Sequence, residues 1–162
     1  MDHGHSWTYL STIRPSSRAS APDRCEHREP AVCLLPSDDL LCLIRAGLEP
    51  ECPLIQLRSV DAGLTWQEEG GPGLPGACPQ VTVLPCGCVA CSFGTRRGVW
   101  ATASKDQGRS WIEPIGLYRG QTDGYSSLQA IDSRTFRVVY AESSFDAPQP
   151  GPNRIVRATV RV

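Results

Sequence analysis

The sequence predicts an all-β fold, a β-propeller present as roughly three blades of four antiparallel strands. Three observations carry this. Hairpin-like segments recur along the 162 residues, an Asp-x-Gly-x-Ser/Thr-Trp motif recurs with them, and 15 glycines and 14 prolines fall between short apolar runs. That punctuation excludes long helices and suits short strands joined by turns.

The hairpins come first. Val32 to Ile44, Val81 to Phe93 and Leu128 to Tyr140 align without gaps. Each is an apolar run, a short polar turn and a second apolar run, which is the pattern of a β-hairpin.

The motif sets the larger spacing. It occurs at Asp61-Ala62-Gly63-Leu64-Thr65-Trp66 and at Asp106-Gln107-Gly108-Arg109-Ser110-Trp111, and a third copy, Asp2-His3-Gly4-His5-Ser6-Trp7, opens the chain. The aspartate can accept backbone N–H groups across a tight turn. The glycine supplies a positive φ at low cost, and the tryptophan buries a large ring that pins the hairpin. Successive aspartates are 59 and 45 residues apart, the length of one four-stranded blade.

These two repeats divide the chain. Residues 1–14 are expected to be the end of an earlier blade. A blade over 29–70 has strands near 31–36, 40–45, 54–59 and 64–68, and a blade over 77–118 has strands near 79–84, 88–93, 98–104 and 109–117. A last blade over 124–162, with strands near 126–131, 135–141 and 153–162, lacks its fourth strand. Each motif is expected between the third and fourth strands of its blade. Residues 15–28 and 144–152 read as loops. Three blades are too few to close a ring, so the chain is expected to be about half of a larger domain. Two copies completing six blades are the alternative. Open blade edges predict self-association.

Composition narrows the function. The net charge is −1, with lysine and arginine scattered along the chain, which argues against nucleic acid as a partner. No apolar stretch approaches a membrane span. The first residues lack a signal-peptide core, and localisation stays open. Eight cysteines stand at 25, 33, 42, 52, 78, 86, 88 and 91. The group Cys86-Gly87-Cys88-Val89-Ala90-Cys91 has no second cluster at zinc-ligand spacing. Cys42, Cys91 and Val138 share one repeat position, so these cysteines are expected as small core hydrophobes. No metal or cofactor is expected, and His3, His5 and His27 receive no role.

The motifs resemble the Asp boxes of sialidases (neuraminidases) and their BNR-repeat relatives. The resemblance covers nearly the whole chain and implies the C-terminal half of a six-bladed propeller. In that family the boxes are structural, which assigns a structural role to Asp2, Gly4 and Trp7, to Asp61, Gly63 and Trp66, and to Asp106, Gly108 and Trp111. The chemistry is implied elsewhere. Glu29 resembles the glutamate that precedes a blade's first strand. Arg45 resembles the second member of the arginine triad. Arg97 resembles the third, with Arg96 as the other choice, and Tyr125 resembles the catalytic nucleophile. Topology gives an independent check. In an up-and-down blade the start of strand 1, the end of strand 2 and the start of strand 3 share one face, so all four residues map to one mouth and the boxes to the opposite side.

The resemblance implies retaining hydrolysis of a terminal sialic acid or related acidic sugar. Guanidinium groups match the sugar carboxylate with paired hydrogen bonds. A neutral tyrosine hydroxyl escapes the repulsion a carboxylate nucleophile would meet, and Glu29 is its base. The family's first arginine and acid–base aspartate have no counterpart here, so this chain is expected to be incomplete and inactive alone. The family's glutamate after the last blade's tyrosine is also displaced: Ala141 follows Tyr140, and Glu142 stands one residue later, on the other face of a strand. A non-catalytic carbohydrate-binding propeller and a protein-interaction propeller remain open. The expected partner is a carbohydrate.

Overall fold

In the computed structural model the described residues are 4–13, 27–47, 52–142 and 154–162, and they form three antiparallel sheets with no helix. The first sheet runs β1 (His27–Leu34), β2 (Leu40–Ala46), β3 (Ile55–Ser59) and β4 (Gln67–Glu68). The second runs β5 (Ala77–Val83), β6 (Val89–Thr95), β7 (Gly98–Ser104) and β8 (Ile115–Arg119). The third contains β9 (Ser126–Ala130), β10 (Thr135–Ala141) and β11 (Ile155–Arg161), with β10 in the middle. Each sheet pairs its strands in chain order, and β5 packs against both β1 and β9. The sheets are therefore successive blades with their first strands side by side.

Burial explains the sequence patterns. Strand β6 belongs to the middle blade and is covered on both faces, so its residues from Val89 to Gly94 are all buried. Strand β10 is covered on one face: Phe136, Val138 and Tyr140 are buried, whereas Val139 is exposed. Phe136, Val138 and Tyr140 meet Leu84, Ala90, Val99 and Ala101 at the seam between the second and third blades. Leu43, Leu54 and Leu74 meet Cys91 and Phe93 at the seam between the first and second. Each of the leucine, valine and phenylalanine side chains among them contributes about 1.5–3 kcal/mol on full burial. A net backbone hydrogen bond contributes about 1 kcal/mol. The seams therefore hold blade to blade, and the hydrogen-bonded ladders hold strand to strand.

The boxes at Asp61 and Asp106 lie between the third and fourth strands of their blades. Asp61 accepts the Thr65 N–H at 2.8 Å and the Thr65 hydroxyl at 2.6 Å, and Ser59 donates to it at 2.8 Å. Asp106 is bound in the same way by the Ser110 N–H at 2.8 Å, the Ser110 hydroxyl and Ser104. Gly63 and Gly108 both have φ of 90°, and the residue before each, Ala62 or Gln107, is also left-handed. The hydrogen bonds from Thr65 and Ser110, backed by those from Ser59 and Ser104, hold both carboxyls down to a pKa of about 2.

The second box also joins two blades. Gln56 of β3 donates to the Gly108 carbonyl at 2.9 Å and accepts from Trp111 Nε1 at 3.1 Å. Arg58 of β3 donates to the Gln107 carbonyl at 2.8 Å.

Several sequence expectations are corrected. Residues 4–13 form no strand, so the described part of 1–14 supplies no fourth strand of an earlier blade. Trp7 is 92% exposed and pins no hairpin. Asp2 lies outside the described residues. What residues 4–13 do is cover the first blade: Ser11 donates to the Gly63 carbonyl, and Ile13 packs on Cys42, Ile44 and Leu57. The fourth strand of the second blade starts at Ile115 rather than near 109. Ile112 bonds Ala103 as an isolated backbone contact, and Pro114 next to it has no N–H to extend a ladder. The expectation of core cysteines holds for Cys42 and Cys91, both fully buried, and fails for Cys86, which is exposed at the β5–β6 turn.

Candidate functional site

Glu29, Arg45, Arg97 and Tyr125 line one cavity of about 770 Å³. It opens at the ends of the strands opposite the Asp boxes, because Glu29 is near the start of β1, Arg45 near the end of β2, Arg97 in the β6–β7 turn and Tyr125 just before β9.

The repeat explains part of this arrangement. In the gap-free alignment Glu29, Cys78 and Tyr125 occupy one equivalent position, three residues before each hairpin segment. All three line the cavity. Glu29 has φ of 56° and Cys78 has φ of 50°. Each sits at an irregularity in strand pairing, between Arg28 and Ala31 in β1 and between Ala77 and Gln80 in β5. A non-glycine residue in this region costs about 1–3 kcal/mol and persists only where its surroundings fix it. Here the fixing contacts are visible. Glu29 Oε1 accepts from Arg45 Nη1 at 3.0 Å, and Oε2 accepts the Cys78 N–H at 2.6 Å.

The Glu29 and Arg45 side chains are 24% and 15% exposed. Their attraction is thus less screened than that of a surface pair. Cys78 stays a neutral thiol, because burial, reinforced by the Glu29 charge, pushes its pKa up to about 12. It is not poised as a nucleophile.

Arg97 is held at the rim by its backbone. Its N–H donates to Thr95 Oγ1 at 3.1 Å and its carbonyl accepts the Gly120 N–H at 3.1 Å. The side chain is exposed. Arg96, the other choice for the same role, lines the cavity too.

Tyr125 is 66% exposed. Its position follows from a close backbone crossing: a Cβ on Gly94 would lie 2.2 Å from the Gly124 Cα. Thr122 accepts the Gly124 N–H at 3.2 Å and donates to the Ala141 carbonyl at 3.0 Å. Ser126, which follows Tyr125, bonds Ser92 at 2.9 Å. The loop before β9 is therefore fastened on both sides of the tyrosine. No hydrogen bond joins Tyr125 to Glu29 among the described residues.

The site offers arginines for an anion, an anchored carboxylate, and a solvent-facing phenol. Sequence reasoning missed Cys78, Thr122 and Asp123 in the lining. The repeat position of Cys78 was the available signal. Thr122 and Asp123 lie in a connecting loop outside both repeats. Among the described residues no cluster of three or more histidine, cysteine, aspartate or glutamate side chains is placed to hold a metal ion.

No protein-family model matches the sequence, and no curated protein does. Solved structures do match. A Dyadobacter fermentans protein of unknown function superposes with a TM-score of 0.68 at 25% identity, over 88% of this chain and 40% of its own. An α-L-arabinanase of Penicillium chrysogenum, complexed with arabinobiose, gives 0.58 at 18%, over 88% and 49%. The intramolecular trans-sialidase of Ruminococcus gnavus, in complex with oseltamivir carboxylate, gives 0.56 at 15%, over 99% and 39%. The chain spans less than half the length of these structures. Its fold is about half of the β-propeller that the arabinanase and the sialidase share.

Proposed function

We propose that this mouth binds the carboxylate of a terminal sialic acid or related acidic sugar and that, in a complete ring, it supports retaining hydrolysis with Tyr125 as nucleophile. The convergence of Glu29, Arg45, Arg97 and Tyr125 on one cavity carries this reading. The presence of a trans-sialidase among the fold neighbours supports it.

In this mechanism Arg97 meets the incoming carboxylate at the rim. Arg45 turns part of its hydrogen bonding from Glu29 to the same carboxylate. Glu29 Oε1, released from Arg45, takes the Tyr125 proton as the phenolic oxygen attacks the anomeric carbon. Water then displaces the tyrosine. The leaving group needs an acid, and no residue of this chain is assigned that role, so turnover belongs to a ring completed by further blades.

Binding is tested by titrating the chain with N-acetylneuraminate, its methyl ester and arabinobiose, followed by NMR. Losing a charge-assisted pair of hydrogen bonds is worth about 1.5–3 kcal/mol, so the ester is expected to bind at least about tenfold more weakly than the acid. Equal binding of acid and ester, or preference for arabinobiose, overturns the reading. Hydrolysis of a fluorogenic sialoside by a complete ring carrying Tyr125→Phe tests the nucleophile. Unchanged rates would remove Tyr125 from that role.

A further inference from the structure

At the end of the second blade opposite the mouth, Cys86 and Cys88 flank Gly87 in the β5–β6 turn. The turn is closed by Leu84 N–H to the Cys88 carbonyl at 2.8 Å and by Gly87 N–H to the Leu84 carbonyl at 2.8 Å. The first blade closes its β1–β2 turn in the same way, with Leu35 N–H to the Asp39 carbonyl at 2.8 Å and Asp38 N–H to the Leu35 carbonyl at 3.0 Å. In the gap-free alignment Cys86 corresponds to Ser37 and Ser133, and Cys88 corresponds to Asp39 and Thr135. The other blades place polar groups at both positions, so neither cysteine fills a core seat.

Their surroundings differ from those of the buried thiols. Cys86 is exposed and Cys88 half-buried, whereas Cys42, Cys78 and Cys91 are buried. Cys86 and Cys88 share one turn, separated only by Gly87. Two cationic side chains act on the pair: Arg134 from the β9–β10 turn on both thiols, and Lys105 beside the Asp106 box on Cys88. The Cys86 N–H is bonded to the Ser133 carbonyl of the third blade at 3.2 Å, which holds this side of the turn still. Hydrogen bonding, first from the Cys88 backbone and then from its thiol, pulls Cys86 below the usual thiol value, while burial and the Cys86 thiol push Cys88 above it. An exposed thiol one glycine away from a more buried one is the arrangement of an attacking and a resolving cysteine.

We infer that Cys86 and Cys88 form a thiol–disulfide exchange site that takes a small-molecule disulfide. Cys86 thiolate attacks one sulfur of that disulfide, its S–S bond breaks, and one small thiolate leaves and takes a proton from water. Cys88 then gives its proton to water and attacks the Cys86 sulfur of the mixed disulfide; that S–S bond breaks, and the second small thiolate leaves and takes a proton from water. Two protein thiols are oxidised to one intramolecular disulfide, and the small disulfide is reduced to two thiols.

The test incubates the chain with oxidised glutathione, blocks remaining thiols with N-ethylmaleimide and reads the 86–88 peptide by mass spectrometry. The wild-type peptide is expected to lose two hydrogens and carry no maleimide. Cys88→Ser is expected to retain one glutathionyl group on Cys86. Cys86→Ser is expected to react at least about tenfold more slowly, its remaining thiol being the less exposed one. Serine stands at the Cys86 position in the other two blades, and unchanged circular dichroism verifies that both variants fold. Maleimide on both wild-type cysteines, or equal rates for the two variants, overturns the inference.

Discussion

The Cys78 N–H donates to Glu29 Oε2 at 2.6 Å, so two residues at the same position in neighbouring blades are bonded to each other across the seam. The contact makes Glu29 an anchored group. One oxygen belongs to the second blade's backbone and the other to Arg45 of its own blade.

Glu29→Gln separates these two duties. Glutamine keeps an acceptor for Cys78 but removes the charge held against Arg45. Affinity for N-acetylneuraminate is expected to rise severalfold, about 1 kcal/mol, because the arginine no longer serves an internal partner. Hydrolysis by a complete ring is expected to fall, because the base is gone. NMR titration and the sialoside assay measure the two effects, which have opposite signs.

Gly94→Ala acts through the backbone. Its new Cβ would stand 2.2 Å from the Gly124 Cα, a contact that requires the strand end and the tyrosine loop to separate. Overpacking of this kind costs about 1–3 kcal/mol or more. A lower urea midpoint and a shifted Tyr125 ring resonance are the expected readouts.

The Asp boxes set a pH dependence. Asp61 and Asp106 have carboxyls near 2 in the folded chain against an ordinary value of 3.8. Their contribution to stability is therefore complete above about pH 4 and is lost as pH falls toward 2. Thermal unfolding between pH 5 and pH 2 is expected to show a steep fall in Tm. The Asp61→Asn, Asp106→Asn double variant starts lower and changes less over that range.

Gln56→Ala tests the joint between the first two blades. It strands the Gly108 carbonyl and the Trp111 indole N–H, both of which it now satisfies. Each lost partner costs about 1–3 kcal/mol, which predicts a loss of about 2–6 kcal/mol by urea denaturation. A matching change in tryptophan fluorescence is expected from Trp111.

Much of the fold was legible because its repeats are local. The hairpins from Val32, Val81 and Leu128 are set by apolar runs on either side of a polar turn, and the Asp61 and Asp106 boxes by hydrogen bonds within six residues. The resemblance picked out Glu29, Arg45, Arg97 and Tyr125, and up-and-down topology then put them at one mouth. What stayed hidden depends on distant partners. Asp2-x-Gly4-x-Ser6-Trp7 has the letters of a box, but residues 4–13 lie on the first blade without joining a sheet, and Trp7 stays in solvent. The late start of β8 depends on how Ile112 bonds Ala103. The exposure of Cys86 was readable from its serine counterparts, Ser37 and Ser133, although the run from Val89 to Cys91 beside it is apolar and buried.

The seat shared by Glu29, Cys78 and Tyr125 has a consequence for how such an opening diversifies. One repeat position, copied around an axis, puts an acid, a buried thiol and a phenol in the lining of one cavity. Exchanging a single letter at one copy changes the reagent on offer without redrawing the frame that carries it. Selectivity in such a molecule can drift one seat at a time.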